Sequence, residues 1–167
     1  MVTILNLGQK GLIPQRITNN DTKFNNVLLD SNDKGLCVID LDTVMPGYVH
    51  YDFGDSIRTS TNTGAEDDPD LTRVEMDIRL FEAYTKGFLE ETRSTLTPLE
   101  LDNLALAGKL LPYMIGVRFL TDYVDGDNYF KIKHEHHNLQ RARAQFKLLM
   151  SQERQFGAMQ DIVRRNA

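Results

Sequence analysis

Tryptophan is absent and cysteine occurs once in the 167-residue chain, so no disulfide framework can form within it. No eighteen apolar residues run together, and the stretch before Gly11 holds one basic residue and no long apolar core. Neither a membrane span nor a secretory signal is indicated, and a cytoplasmic protein is the expectation. Basic residues are the minority, 19 against 24 acidic ones, for a formal net charge of −5. Nothing therefore draws the chain as a whole to nucleic acid or to an anionic membrane, and neither is expected as a partner. Internal repeats and low-complexity tracts are also missing. What is present is 41% hydrophobic content over a length that supports one domain with a real core.

Residues 1–15 contain Gly8, Gly11 and Pro14, which interrupt any regular pattern, and they read as a connector. The domain is expected to span 16–167. Two short apolar runs, Val27 to Leu29 and Leu36 to Leu41, flank a polar segment with turn chemistry at Asp33 to Gly35, and predict a β-hairpin. Cys37 lies in the second run and reads as a small packed hydrophobe. Between Thr59 and Asp70 apolar residues nearly vanish, which predicts a solvated loop. Helical spacing follows. Val74, Ile78, Phe81, Tyr84 and Phe88 recur at three- and four-residue steps. The start signal Thr97-Pro98-Leu99-Glu100 precedes a leucine-rich pattern, and a last helix is expected from about Lys133 to Phe156. The fold class is α+β, mainly α: a small hairpin packed on a helical body.

Asp21 and Asn26 stand five residues apart immediately before the first strand. In phosphoryl transfer a loop aspartate takes the proton of the attacking hydroxyl, and an asparagine at that spacing holds a magnesium ion. Lys23, two places after the aspartate, is positioned to reach the transferring phosphoryl oxygens. Asp40, ending Val38-Ile39-Asp40, is the second candidate metal ligand. Asp42 is a further ligand or a supporting residue if the strand continues past Asp40.

These segments resemble the aminoglycoside phosphotransferase and choline kinase family, a branch of the protein-kinase-like fold. The loop Asn19-Asn20-Asp21 through Asn26 and the segment Val38-Ile39-Asp40 carry the likeness. Thr18 to Val27, Val38 to Gly47 and Tyr51 to Arg58 look more narrowly like bacterial N-acetylhexosamine 1-kinases. The resemblance implies a C-terminal kinase-like lobe, magnesium, and ATP as co-substrate for phosphorylating a small sugar. It also implies that Asp52 and Asp55 brace the catalytic loop. Asn19 departs from the pattern, standing where the family has histidine.

The stretch from Gly116 to Phe130 carries the same likeness, and within it Arg118 and Tyr129 are candidate sugar contacts, through guanidinium donors and an aromatic face. A structural reading stands beside it, with Arg118 paired to Asp122 and Tyr129 in the core. His134-Glu135-His136-His137 lacks companion ligands at metal-site spacing and reads as a polar helix start. Arg141, Arg143, Arg154, Arg164 and Arg165 read as a solvated helix surface. Kinases of this class also need a glycine-rich loop over the phosphates. Gly8 and Gly11 do not form one, so the nucleotide-binding N-terminal lobe is expected to be absent and the chain by itself inactive. The alternatives are a non-catalytic binding module derived from such a lobe, or a kinase acting on choline or an aminoglycoside. An uncovered lobe surface would also favour a dimer.

Overall fold

A computed structural model describes residues 3–167. Helix α1 (Thr3–Gln9) leads into strand β1 (Arg16–Thr18), and a 3-10 turn, Phe24–Asn26, opens strand β2 (Val27–Leu29). Strands β3 (Gly35–Val38) and β4 (Met45–Gly47) precede helix α2 (Val49–Ser60). Helices α3 (Ile78–Thr92), α4 (Pro98–Asp102), α5 (Leu104–Val124), α6 (His137–Arg154) and α7 (Phe156–Asn166) complete the chain.

The hairpin is β2 against β3, antiparallel, with Val27 opposite Val38 and Leu28 opposite Cys37. Its turn is where the polar segment placed it. Asp33 adopts a left-handed φ of 60°, and the Asp30 carboxylate accepts from the Asn32 and Lys34 amides, a local alternative to ladder pairing that asparagine and aspartate favour. Strand β3 stops at Val38 rather than continuing to Leu41, because Asp40 turns the backbone into the left-handed region. The second two-stranded ladder, β1 with β4, was not anticipated, its strands being only three residues each. Cys37 is exposed, contrary to its apolar setting, since the hairpin stands clear of the helical core and all of β3 faces outward.

Two apolar clusters hold the body together. The larger is centred on Phe53 of α2, whose ring meets Phe81 edge-on at 6.2 Å and Phe88 at 5.1 Å, with Leu104, Leu148 and Met159 packed around it. Gly54 lets α2 and α5 approach, since a Cβ there would stand 2.4 Å from the Ala107 carbonyl oxygen. The smaller cluster joins Ile4 and Ile13 to Leu110 and Leu111. Residues 3–15 are therefore not a connector: α1 docks on α5, and its apolar side is buried (Met1 and Val2 lie outside the described residues). The Thr97 capping box forms as expected, and Glu100, fully buried, also receives Arg16 of β1 at 2.7 Å, tying the strand before the site to the helical body.

Three boundaries differ from the periodicity. Val74 and Met76 are buried but precede α3, with Val74 closing a turn onto Leu71 and Met76 held by a bridge to Asn62 and by its amide donating to Ser151 Oγ. The leucine-rich pattern after Thr97 divides at Asn103 into α4 and α5. The last helix begins at His137 because His136 takes a φ of 64°, and it ends at Arg154, with α7 starting separately after Gln155. The segment 61–68 is not freely solvated. Thr61 and Asp68 are buried, and α6 side chains grip the loop: Gln145 donates to the Glu66 carbonyl and His137 Nε2 lies 2.9 Å from Asp67 Oδ2. Helix α5 is long and apolar enough to cross a membrane by length and composition, yet it packs against α2 and α6 as the central helix.

Candidate active site

The loop from Asn19 to Asn26 is fixed by hydrogen bonds from two directions. From α2, the Asp52 carboxylate accepts from the Asn19 amide at 2.8 Å and the Asn20 amide at 2.7 Å, while Thr22 Oγ1 donates to the Asp52 carbonyl. Burial pushes the Asp52 carboxyl above its ordinary value, opposed by those two amide bonds. From the segment after Asp40, Thr43 Oγ1 donates to the Asn19 carbonyl, and Asn20 Nδ2 donates to the Thr43 carbonyl. Ser56 adds a hydroxyl to the Thr22 carbonyl. Asn20 sits at φ 63°, a conformation asparagine tolerates better than most residues, and these bonds offset its cost.

Within this frame Asp21, Lys23 and Asn26 converge. Lys23 Nζ lies 2.6 Å from Asp21 Oδ2, and Asn26 Nδ2 donates both to that oxygen and to the Asp21 carbonyl, each at 2.9 Å. The Asp21 hydrogen bond, opposed by partial burial, raises the Lys23 pKa and keeps the ammonium protonated. Asp21 Oδ1 is left without a protein partner among the described residues. Asp40 completes the group, its Oδ2 3.8 Å from the same ammonium. The bond from the Ile39 amide to the Asn26 carbonyl, 2.9 Å, carries the hairpin pairing one step past β3 and places Asp40 beside the loop. Asn19 Oδ1 accepts from the Asp21 amide at 3.0 Å, so this side chain braces the loop.

Asp42 does not follow Asp40 on an extended strand. It lies in a turn closed by the Val44 amide and the Leu41 carbonyl, and the same-face reading fails because β3 has already ended. Asp55 lies inside α2, and its side chain pairs with Arg58 at 2.9 Å rather than with the loop. Arg118 and Tyr129 are neighbours, the guanidinium carbon 5.8 Å from the Tyr129 ring centroid and 5.3 Å from that of Phe130. They line an open depression of about 380 Å³ with Thr121, Asp122 and Phe130, which shares no lining residue with the catalytic loop. Asp122 does not pair with Arg118; its carboxylate accepts from the Tyr129 and Phe130 amides and from Asn138.

A polar cleft of about 430 Å³ does adjoin the loop, with Lys23 and Asn25 on one side and Arg58, Glu66, Lys133 and Gln145 among its other walls. Sequence reasoning missed this cleft. Arg141, read as solvated, is folded over the Phe119 ring at 5.2 Å and bonded to Asn138 Oδ1 and the Lys131 carbonyl. No short-range spacing links Lys23 to Arg141 or Gln145, and only the low apolar content of 59–70 hinted that these walls were polar.

The oxygen donors at Asn26 and Asp40 suit a hard divalent cation. Magnesium is characteristically held by one or two carboxylates together with substrate phosphates rather than by a full protein cage, and among the described residues no cluster of three His, Cys, Asp or Glu side chains forms such a cage. Compared with known families, residues 7–92 match the family model APH, the phosphotransferase enzyme family. The match contains every residue of the loop, the hairpin and α2.

Proposed function

The chain belongs to the phosphotransferase enzyme family, and from that premise we propose that its site passes the γ-phosphoryl group of ATP to a hydroxyl of a small sugar. The finer reading is an N-acetylhexosamine phosphorylated at its anomeric hydroxyl. The observation that carries the chemistry is the state of Asp21: one carboxylate oxygen is held by Lys23 and Asn26, and the other has no protein partner among the described residues.

Asp21 Oδ1 accepts the proton of the acceptor hydroxyl as that oxygen attacks phosphorus, so the base is held by one oxygen and works with the other. The new oxygen–phosphorus bond forms in line as the bond from γ-phosphorus to the bridging oxygen breaks, and ADP leaves. Lys23, kept protonated, faces the equatorial oxygens of the group in transit, where its charge counts most as negative charge spreads. Asn26 and Asp40 would hold magnesium, which when bound neutralises charge on the phosphate oxygens. Asp42, set in its turn, is at most an outer support. Arg118 and Tyr129 are assigned to the sugar, on the strength of their paired placement and the sequence likeness. The nucleotide's remaining contacts are assigned to a lobe that residues 16–167 do not supply. The brace from Asn19 to the Asp21 amide favours a working site over a decayed binding module, because it replaces what the absent histidine would do for the loop.

The test is product identification. With the full gene product, magnesium, ATP and N-acetylglucosamine or N-acetylgalactosamine, phosphorus NMR is expected to show a sugar 1-phosphate accumulating with ADP. ADP with no phosphorylated sugar, or phosphate on a different acceptor class, would refute the finer reading.

A further inference from the structure

Arg118 and Asp122 stand one helical turn apart on α5, the spacing of an ion pair, yet no ion pair forms between them. Three donors converge on the carboxylate instead. The Tyr129 amide donates to Oδ1 at 2.8 Å, the Phe130 amide to Oδ2 at 2.9 Å, and Asn138 Nδ2 to Oδ2 at 2.8 Å. Asn138 lies on α6 and is 0% exposed. It also donates to Asp127 Oδ1, and its own oxygen accepts from Arg141, which fixes the orientation of its amide. The Asp122 carbonyl takes the Asp127 amide at 2.8 Å, closing the turn in which Asp127 holds a left-handed φ of 57°. Asp122 is 6% exposed, whereas Tyr129, whose amide it holds, is 75% exposed. Among the described residues Arg118 forms no ion pair, and its guanidinium lies against the Tyr129 and Phe130 rings.

We propose that Asp122 is a positioning residue acting through Tyr129: buried beneath the surface, it fixes the backbone of 129–130 so that an exposed ring is presented beside an unpaired guanidinium. The inference rests on the assignment of Arg118 and Tyr129 to the sugar. An exposed ring has little packing to hold it, so its place is set chiefly by the backbone that carries it. Ordering that backbone before the ligand arrives removes a cost that binding would otherwise carry. A carboxylate suits the task, because three N–H groups point at it and it offers acceptors only. Asparagine in its place would set an NH₂ group against one of those donors. The engagement of Asp122 has a second consequence. Paired with Arg118, as their spacing allows, it would occupy the guanidinium; committed to the amides, it leaves those donors for ring hydroxyls or an N-acetyl carbonyl.

The test is a double-mutant cycle on the full gene product with magnesium, ATP and N-acetylglucosamine, joined to hydrogen exchange. Asp122→Asn and Tyr129→Ala are each expected to raise KM for the sugar by about tenfold, with a smaller change in kcat and KM for ATP within about twofold. Because Asp122 acts through Tyr129, adding Asp122→Asn to Tyr129→Ala should raise the sugar KM by no more than about a further twofold. Exchange at the Tyr129 and Phe130 amides should quicken by at least about tenfold in Asp122→Asn, while amides of α2 keep their protection. Should Asp122→Asn fail to fold, Asn138→Ala removes one of the three donors and serves in the same cycle with a smaller expected effect. The proposal is overturned if the two effects multiply, if Tyr129→Ala leaves the sugar KM unchanged, or if exchange at the two amides does not change. A fall in kcat with KM for ATP rising as far as KM for the sugar would mark a merely structural role and overturn it as well. A wild type that makes no sugar phosphate refutes the phosphotransferase reading and this proposal with it, whereas failure of the cycle in an active enzyme refutes this proposal alone.

Discussion

Asp52 supports the loop from Asn19 to Asn26 more directly than any other side chain, and its removal has a calculable cost. Its carboxylate accepts two backbone amides at 2.7 and 2.8 Å, from Asn20 and Asn19. Hydrogen bonds to a charged acceptor contribute about 1.5–3 kcal/mol each, so Asp52→Ala removes about 3–6 kcal/mol of gross interaction. Burial of the carboxylate offsets part of this, as the upward push on its pKa shows, which leaves a net loss of about 2–4 kcal/mol. Asp52→Asn keeps one accepting oxygen and is expected to lose about half as much. The loss should be concentrated in the loop, because Asn20 in its left-handed conformation depends on these bonds. Urea denaturation gives the magnitude, and hydrogen exchange at the Asn19, Asn20 and Asp21 amides gives the location. If Asp52→Ala matches the wild type within about 0.5 kcal/mol and exchange at those amides is unchanged, the bracing argument is wrong.

Other perturbations probe separate links. Gly54→Ala puts a methyl 2.4 Å from the Ala107 carbonyl oxygen and 2.6 Å from Leu111 Cδ2, so α2 and α5 must part, at a cost of about 1–3 kcal/mol by thermal or urea unfolding. Asn26→Asp replaces the donor 2.9 Å from Asp21 Oδ2 with a second carboxylate. Turnover by the full gene product at neutral pH should fall by at least about tenfold, and the acidic limb of its pH profile should move up. His50 is fully buried, and burial lowers its pKa below 6.5 despite its bond to the Glu100 carbonyl. The unfolded chain therefore takes up a proton below about pH 6.5 that the folded chain refuses, so this contribution is complete above that pH and is lost as the pH falls through it. Urea midpoints between pH 7 and 5.5 should decline more steeply for the wild type than for His50→Asn.

The elements that were legible in the sequence are those set by local chemistry. The Asp33 turn, the Thr97 capping box and the Asp21-to-Asn26 spacing each depend on residues within six positions of one another, and each has the expected form. Features made by distant partners were not legible. Helix α1 exists because Ile4 finds Leu110 and Leu111 on the far side of the chain, which no reading of Gly8 and Pro14 discloses. Val74 keeps helical spacing with Ile78 yet lies outside α3, between a turn onto Leu71 and the Met76 bridge, where Ser151 takes the Met76 amide. Periodicity reports burial, and tertiary partners decide the conformation that achieves it. The convergence of Asp21, Lys23 and Asn26 follows from their spacing, whereas the polar cleft does not, since its walls come from four separated segments joined only when α6 grips residues 62–67. Asp42 misled for a related reason: its side was inferred from a strand that the left-handed Asp40 had already ended.

In the proposed reaction Asp21 is the group that takes the acceptor's proton. The direct measurement is magnesium-dependent transfer from ATP to N-acetylglucosamine by the full gene product, comparing wild type with Asp21→Asn at equal folded fraction. A loss in kcat of about 10²–10⁴-fold with little change in sugar binding is the expected result. An Asp21→Asn protein that transfers phosphate at the wild-type rate would rule out Asp21 as that proton acceptor.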